Sequence, residues 1–413
     1  MNSITFEESE LFLNKLYDQT DFISNKLNLA LEDYNQLLKL VTIYGSNNNK
    51  DSSNKRFDTA IFNSTIPRIY ERLGITENQI TVEDFSLEGF GMDSIKEKLK
   101  NIWKAICNFV KKWVEFFLDK FEEFVHNNTG NKKWAGDVLK TIPEYKIHGS
   151  FNKNPTNKEI FNERLYKALC IDNKPIDYKS VSDLINNHLE VTTGFNKSGD
   201  DFVKAFQSQS NKFLNISDSK ENINVIKKIL VTVFGDSLKN ISTKSKTETV
   251  RLPFPSNKVS YTNLIGDRSI SVFISNTDRY SIEIDTKGLE RKENKLNKTP
   301  TLDVLYITDF LKDILKVCEA TEKSYEIAKD KKTITKQMET LAGRSLDNIG
   351  KDPIKDKELQ FLVMEYQKLT NDVLRTFSKL VTIMPAYNNI LCIKVFKYIE
   401  LSLNEYGITA IKS

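Results

Sequence analysis

The stretch that decides the fold is SIKEKLKNIWKAICNFVKKWVEFFLDKFEEFVH, residues 94–126. It begins with Ser94 and Glu97 in the spacing of a capping box, where each side chain satisfies a free backbone N–H group at a helix start. Apolar side chains then recur every three or four residues, as on one face of an α-helix. The pattern predicts one continuous amphipathic helix about 50 Å long. Its predicted buried stripe consists of Leu99, Trp103, Ile106, Val110, Trp113, Phe117 and Phe121.

Three interpretations of this helix remain open at the level of sequence. So many large apolar side chains exceed what one exposed helix tolerates, so the stripe must be buried somewhere. It can form the core of a large helical bundle, or it can pack against a partner protein. It can also lie in a membrane interface, because lysines beside Trp and Phe suit a lipid surface.

Helical periodicity covers most of the remaining chain. Breaks are predicted within the first helix and at Gly194. Pro385, which lacks the N–H group that a helix interior requires, is predicted to break or kink the last pair of helices. The predicted helical segments are 5–44, 58–73, several shorter helices in 155–240, 302–329, 333–347, 356–383 and 386–405.

Between residues 247 and 286 the apolar period changes from three or four residues to two, which is typical of β-strands. Alternating residues on both sides of Asn276-Thr277-Asp278 form a hairpin signature. Two more strands are expected at Thr247–Leu252 and Val259–Ile265. The predicted fold class is therefore mainly α: a helical bundle with a long amphipathic helix and a small antiparallel β-hairpin or sheet insertion.

Charge divides the chain unevenly. Residues 1–88 carry 14 acidic and 8 basic side chains, whereas the rest carries 42 acidic and 52 basic ones, so a leader of net charge −6 precedes a body of +10. Together with the element pattern, this predicts four segments. They are an acidic helical leader at 1–88, a helical domain at 89–240, a β segment with a charged loop at 241–300, and a C-terminal bundle at 301–413.

Catalytic motifs are missing from the sequence. There is no phosphate-binding glycine loop, nucleophile elbow or zinc-protease motif. The four cysteines and three histidines are scattered, which favours reduced buried thiols over a metal site, and His188 is expected on a helix surface. We therefore predict no catalytic, metal or cofactor-binding residues and no enzyme activity, with an enzyme of unfamiliar type as a rival interpretation. The N-terminus does not resemble a signal peptide, and no stretch is apolar enough for a transmembrane helix.

The charged loop at 287–300 has two interpretations. It is either a solvated loop or a surface that contacts phosphate groups. The candidate phosphate contacts are Lys287, Arg291, Lys292, Lys295 and Lys298.

The chain resembles the internal head proteins, which are virion structural proteins, of large (jumbo) tailed bacteriophages. The resemblance rests on three consecutive features. They are the helix end at 69–75, an acidic segment at 82–89, and the Trp-containing helix that begins at Ser94. The helical part from Tyr387 to Tyr406 is loosely similar, whereas residues 150–300 contribute nothing.

The resemblance implies a non-enzymatic protein packaged inside the capsid. In such phages a prohead protease trims internal proteins after a glutamate, and the order Ser86, Leu87, Glu88, Gly89 fits that pattern. The implied partners are capsid or other internal virion proteins, the prohead protease, and packaged DNA bound without sequence preference. The alternative is a membrane-active or host-directed helical protein that acts through helix 94–126.

Overall fold

The chain folds as a mainly α-helical protein, which confirms the predicted fold class. The computed structural model describes residues 6–46, 52–75, 92–147, 154–171, 174–215, 246–250, 256–275, 282–288, 298–329 and 353–408. The described helices are α1 (Phe6–Ser46), α2 (Ser52–Arg72), α3 (Met92–Ile147), α4 (Glu163–Leu169), α5 (Tyr178–Asn215), α6 (Val304–Lys329) and α7 (Pro353–Glu405). The predicted helix at 333–347 lies outside the described residues.

Two small antiparallel sheets accompany the helices. The strands are β1 (Glu159–Phe161), β2 (Lys246–Val250), β3 (Ser256–Leu264), β4 (Arg268–Ser275), β5 (Ile282–Gly288) and β6 (Lys298–Pro300). Strands β2 to β5 pair in chain order, and β1 pairs with β6. The predicted hairpin is confirmed, because Val272 lies opposite Ile284 and Ile274 opposite Ile282.

Helix α3 contains the predicted helix 94–126 and continues to Ile147. The polar run from Asn127 to Asn131 resembles a helix end in sequence, but the apolar stripe resumes after it. Ala135, Val138 and Ile142 are buried, and burial of this second part of the stripe favours continuing the helix.

All seven predicted stripe residues of α3 are buried, with exposed fractions between 0 and 5%. The stripe faces α6 and, near its start, α1. The rings of Trp103 and Tyr34 lie 5.3 Å apart, and those of Phe121 and Tyr325 lie 5.7 Å apart in an edge-on arrangement. The stripe is therefore part of the protein core.

Three helices continue where the sequence predicts breaks, so those breaks are wrong. Helix α1 is one piece, α5 continues through Gly194, and α7 continues through Pro385. A glycine inside a helix costs about 1 kcal/mol, which burial of its neighbours Val191 and Phe195 can offset. Every residue from 381 to 392 is buried, so packing holds the helix together around Pro385 despite the lost hydrogen bond.

Helix α7 lies at the centre of the packing. It contacts α1, α3, α4, α5 and α6, and its buried stretch 381–392 is covered on every side. The stretch is mostly apolar, and its polar residues Thr382, Asn388 and Asn389 are buried as well, so it belongs to the interior of the protein. Buried side chains from all four predicted segments join one connected hydrophobic core, and the four-segment division stays a prediction.

The core position of the α3 stripe predicts a stability effect. Trp113 is 5% exposed, whereas Phe116, three residues further along α3, is 38% exposed. Replacing a buried tryptophan by alanine leaves a cavity, so Trp113→Ala should lower the free energy of unfolding by about 3–5 kcal/mol. The matched variant Phe116→Ala should cost about 1 kcal/mol or less. Urea unfolding followed by circular dichroism measures both, and equal small losses would contradict burial of the stripe.

Candidate functional site: the buried polar core and the α1–α7 interface

The described residues hold neither a metal cluster nor a membrane-spanning segment. No group of three or more His, Cys, Asp or Glu side chains in them is placed to bind a metal ion. In the same part of the chain, none of the helices is both long and apolar enough to cross a membrane. All four cysteines are buried thiols that form no disulfide, and the Sγ atoms of Cys318 and Cys392 lie 3.9 Å apart between α6 and α7.

His188, in α5, is completely buried, so the expectation that it lies on a helix surface is wrong. Its Nε2 atom accepts a hydrogen bond of 2.9 Å from the backbone N–H of Ile265, in the turn between β3 and β4. Because that N–H can only donate, the ring proton resides on Nδ1, which donates to Oδ1 of Asn388 at 3.0 Å. Burial away from water lowers the pKa of His188 to about 4, so the ring is neutral.

Asn388, in α7, is the centre of the polar network that His188 joins. Its Nδ2 group donates to the hydroxyl oxygens of Thr192 at 2.9 Å and Thr321 at 3.0 Å. Those hydroxyls donate in turn to the backbone carbonyls of His188 and Val317, one helical turn earlier. The network therefore links α5, α6, α7 and the sheet with matched donors and acceptors.

This network does not have the arrangement of a catalytic site. Both ring nitrogens of His188 are occupied by structural partners, so neither is available to take a proton from a nucleophile. The hydroxyls of Thr192 and Thr321 are likewise directed to backbone carbonyls. The arrangement fixes how the helices and the sheet pack against one another.

Helices α1 and α7 form a second polar arrangement, which we call the α1–α7 interface. The contacts pair residues in antiparallel order, starting with Tyr17, whose hydroxyl donates to the Lys379 carbonyl at 3.4 Å. One turn further, Asp21 binds Nε of Arg375 at 2.7 Å and Nζ of Lys379 at 3.0 Å. Burial acts to raise the pKa of Asp21, but hydrogen bonds from Lys379 and Arg375 outweigh it and hold the pKa below its usual value.

The antiparallel order continues along the α1–α7 interface. Asn371 donates from Nδ2 to the carbonyl of Ser24 at 3.1 Å and to Oδ1 of Asn28 at 2.7 Å. Further along, Nζ of Lys368 lies 3.7 Å from a carboxylate oxygen of Glu32. The acidic side of α1 thus faces a basic side of α7 over about three turns.

Several buried polar atoms of α1 and its contacts find no hydrogen-bond partner within the described residues. They are the Tyr34 hydroxyl, both amide atoms of Asn35, Nε1 of Trp103 and Oδ1 of Asn371. Each unpaired buried polar atom costs about 1–3 kcal/mol. These unpaired atoms lower the stability of the packing between α1 and the rest of the protein, although α1 also buries apolar side chains.

The structure places only some of the predicted site residues. Residues 86–89 lie outside the described residues, between the end of α2 at Arg72 and the start of α3 at Met92. Among the candidate phosphate contacts, Lys298 pairs with Glu159 at 3.0 Å and lies 5.4 Å from the ring centre of Phe161. Lys287 is in β5, opposite Ser269, and 291–297 lies outside the described residues. Lys298 thus already has a carboxylate partner.

Sequence reasoning missed both the His188 network and the α1–α7 interface. One available signal was the spacing of His188 and Thr192, which lie one turn apart between the apolar residues Ile185 and Phe195. Polar residues at such positions lie on the buried face of a helix. The α1–α7 interface has no local signal, because its partners are more than 300 residues apart.

The family model described as phiKZ-like phage internal head proteins matches residues 87–390. No curated protein and no solved structure matches the chain.

The neutral His188 predicts how stability depends on pH. Its pKa of about 4 in the folded protein lies below the ordinary value of 6.5, so the unfolded chain takes up the proton first as the pH falls. The contribution of neutral His188 to the free energy of unfolding is fully present above pH 6.5. It is lost as the pH falls from 6.5 to 4, by about 3 kcal/mol in all. His188→Gln should remove this loss, whereas His126→Gln, at an exposed position of α3, should not. Urea unfolding at several pH values tests this, and parallel curves for wild type and His188→Gln would refute it.

Proposed function

The chain belongs to the phiKZ-like phage internal head proteins, and we propose that it acts inside the capsid as a non-catalytic packing protein. The observation that carries the proposal is the family match over residues 87–390, which includes the long helix α3, the sheet and most of α7. The occupied ring nitrogens of His188 are consistent with a structural role for its network.

We further propose that the prohead protease removes the leader by cutting between Glu88 and Gly89. The matched region begins at residue 87, immediately beside this bond, so nearly all of the leader lies outside the match. In sequence, residues 75–91 lack the apolar periodicity of a helix. Proteases cut extended and accessible segments far more readily than helices, so a bond in this segment suits processing.

The body that remains after such a cut would associate with packaged DNA. It carries 42 acidic and 52 basic side chains, a net charge of +10, whereas the uncut chain has +4. A basic protein without base-reading elements binds DNA through phosphate contacts and counterion release. Such binding is independent of sequence, weakens steeply with salt, and suits a protein that lies among densely packed DNA.

Capsid proteins and other internal virion proteins are the proposed protein partners. The membrane-active alternative receives no support from the structure, because the stripe of α3 that would insert is buried against α6 and α1. Insertion would require α3 to leave the core.

Peptide mapping of mature virions by mass spectrometry tests the proposal. We expect peptides from residues 89–413 in abundance, a new N-terminus at Gly89, and loss of peptides from residues 1–88. Immature particles that lack protease activity are the control and should retain both parts. Abundant peptides from 1–88 in mature virions, or a peptide that spans Glu88 and Gly89, would refute processing, and absence of the chain from virions would refute packaging.

A further inference from the structure

Three basic residues of α7 share one face and each meets a carboxylate of α1. Lys368, Arg375 and Lys379 are separated by seven and four residues, which keeps them on one side of the helix. Glu32 lies beside Lys368, and Asp21 binds both Arg375 and Lys379. We call these three residues the α7 basic stripe.

We propose that the α7 basic stripe is a binding site for nucleic-acid phosphates and that the carboxylates of α1 occupy it in the uncut chain. This inference rests on the proposed function, which supplies both the cut and the packaged DNA. A carboxylate and a phosphodiester present the same charge and similar oxygen acceptors to Arg and Lys, so one can replace the other. The leader would then keep the stripe closed during assembly.

The spacing of the stripe suits a phosphate chain. Along the helix axis, Lys368 and Arg375 are about 10 Å apart, and Arg375 and Lys379 are about 6 Å apart. Phosphates of one DNA strand follow every 3.4 Å or so along the duplex axis while they wind around it, so long basic side chains spread over about 16 Å of a helix can meet more than one phosphate.

Cleavage changes what holds α1 on the stripe. While the chain is intact, α1 is tethered and acts at a high effective concentration. After a cut between α2 and α3 the tether is lost, and the unpaired polar atoms of Tyr34, Asn35 and Trp103 further weaken the contact. Phosphate in large excess then competes with Asp21 and Glu32 for the same cations.

A charge-matched pair of variants in the full-length chain tests the stripe without cleavage. Asp21→Asn with Glu32→Gln removes the carboxylates that cover the stripe. The basic side chains of the stripe are 13–39% exposed and are thus within reach of DNA. The control Asp18→Asn with Glu71→Gln changes net charge equally at exposed positions of α1 and α2. Fluorescence anisotropy with a random-sequence duplex measures affinity from 50 to 200 mM salt. We expect about tenfold tighter binding by the first variant than by the control at low salt, with a steeper salt dependence.

Two further measurements test whether any gain in DNA affinity depends on the α7 basic stripe. Adding Arg375→Gln and Lys379→Gln to the first variant should return its affinity to that of the control. If the first variant does not fold, the full-length chain with an inserted protease site between residues 76 and 91 replaces it. After the cut, duplex DNA should then displace the leader fragment on size-exclusion chromatography.

Equal affinities for the two charge-matched variants, a gain that survives loss of Arg375 and Lys379, or a cut leader that DNA does not displace would overturn the inference. None of these outcomes depends on whether virions retain the leader. Failure of the stripe and failure of the proposed processing are therefore distinguishable.

Discussion

The structure depends on the burial of α7 around Pro385. Residues 381–392 are covered on every side, so each neighbouring helix must match the shape and the polar groups of this stretch. Asn388 makes the match specific, because it requires His188 and Thr192 from α5 and Thr321 from α6 at defined positions. A buried polar group of this kind fixes the register of helices that apolar contacts alone would hold less precisely.

Helix α1 has a different relation to the core. One side packs on α7 and α3, whereas the other exposes Leu11, Phe22 and Leu29 to solvent. Its polar contacts with α7 combine ion pairs with neutral hydrogen bonds, and its aromatic contact with α3 leaves the polar ends of Tyr34 and Trp103 unpaired. Helix α1 thus contributes Leu27, Leu31 and Leu38 to the shared core through one side and stays open to solvent along the other.

Local periodicity was sufficient to predict the first part of α3, residues 94–126, and the β4–β5 hairpin, because each pattern depends on residues near one another in sequence. It failed at Gly194 and Pro385, where burial in the tertiary structure outweighs a local preference for ending the helix. It also misplaced His188, because a polar residue in a helix is usually exposed and its partners Ile265 and Asn388 are distant in sequence. The pairing of Asp21 with Arg375 joins residues 354 apart, which no local pattern reveals.

The core organised by α7 should be more stable than the packing of α1 on it. Native-state hydrogen exchange of the full-length protein measures this difference, because it reports the opening free energy of each segment. We expect amides in α1 to exchange through a local opening, well before those at 381–392, which exchange only on global unfolding. Equal protection of α1 and of residues 381–392, lost together under increasing denaturant, would contradict this difference in stability.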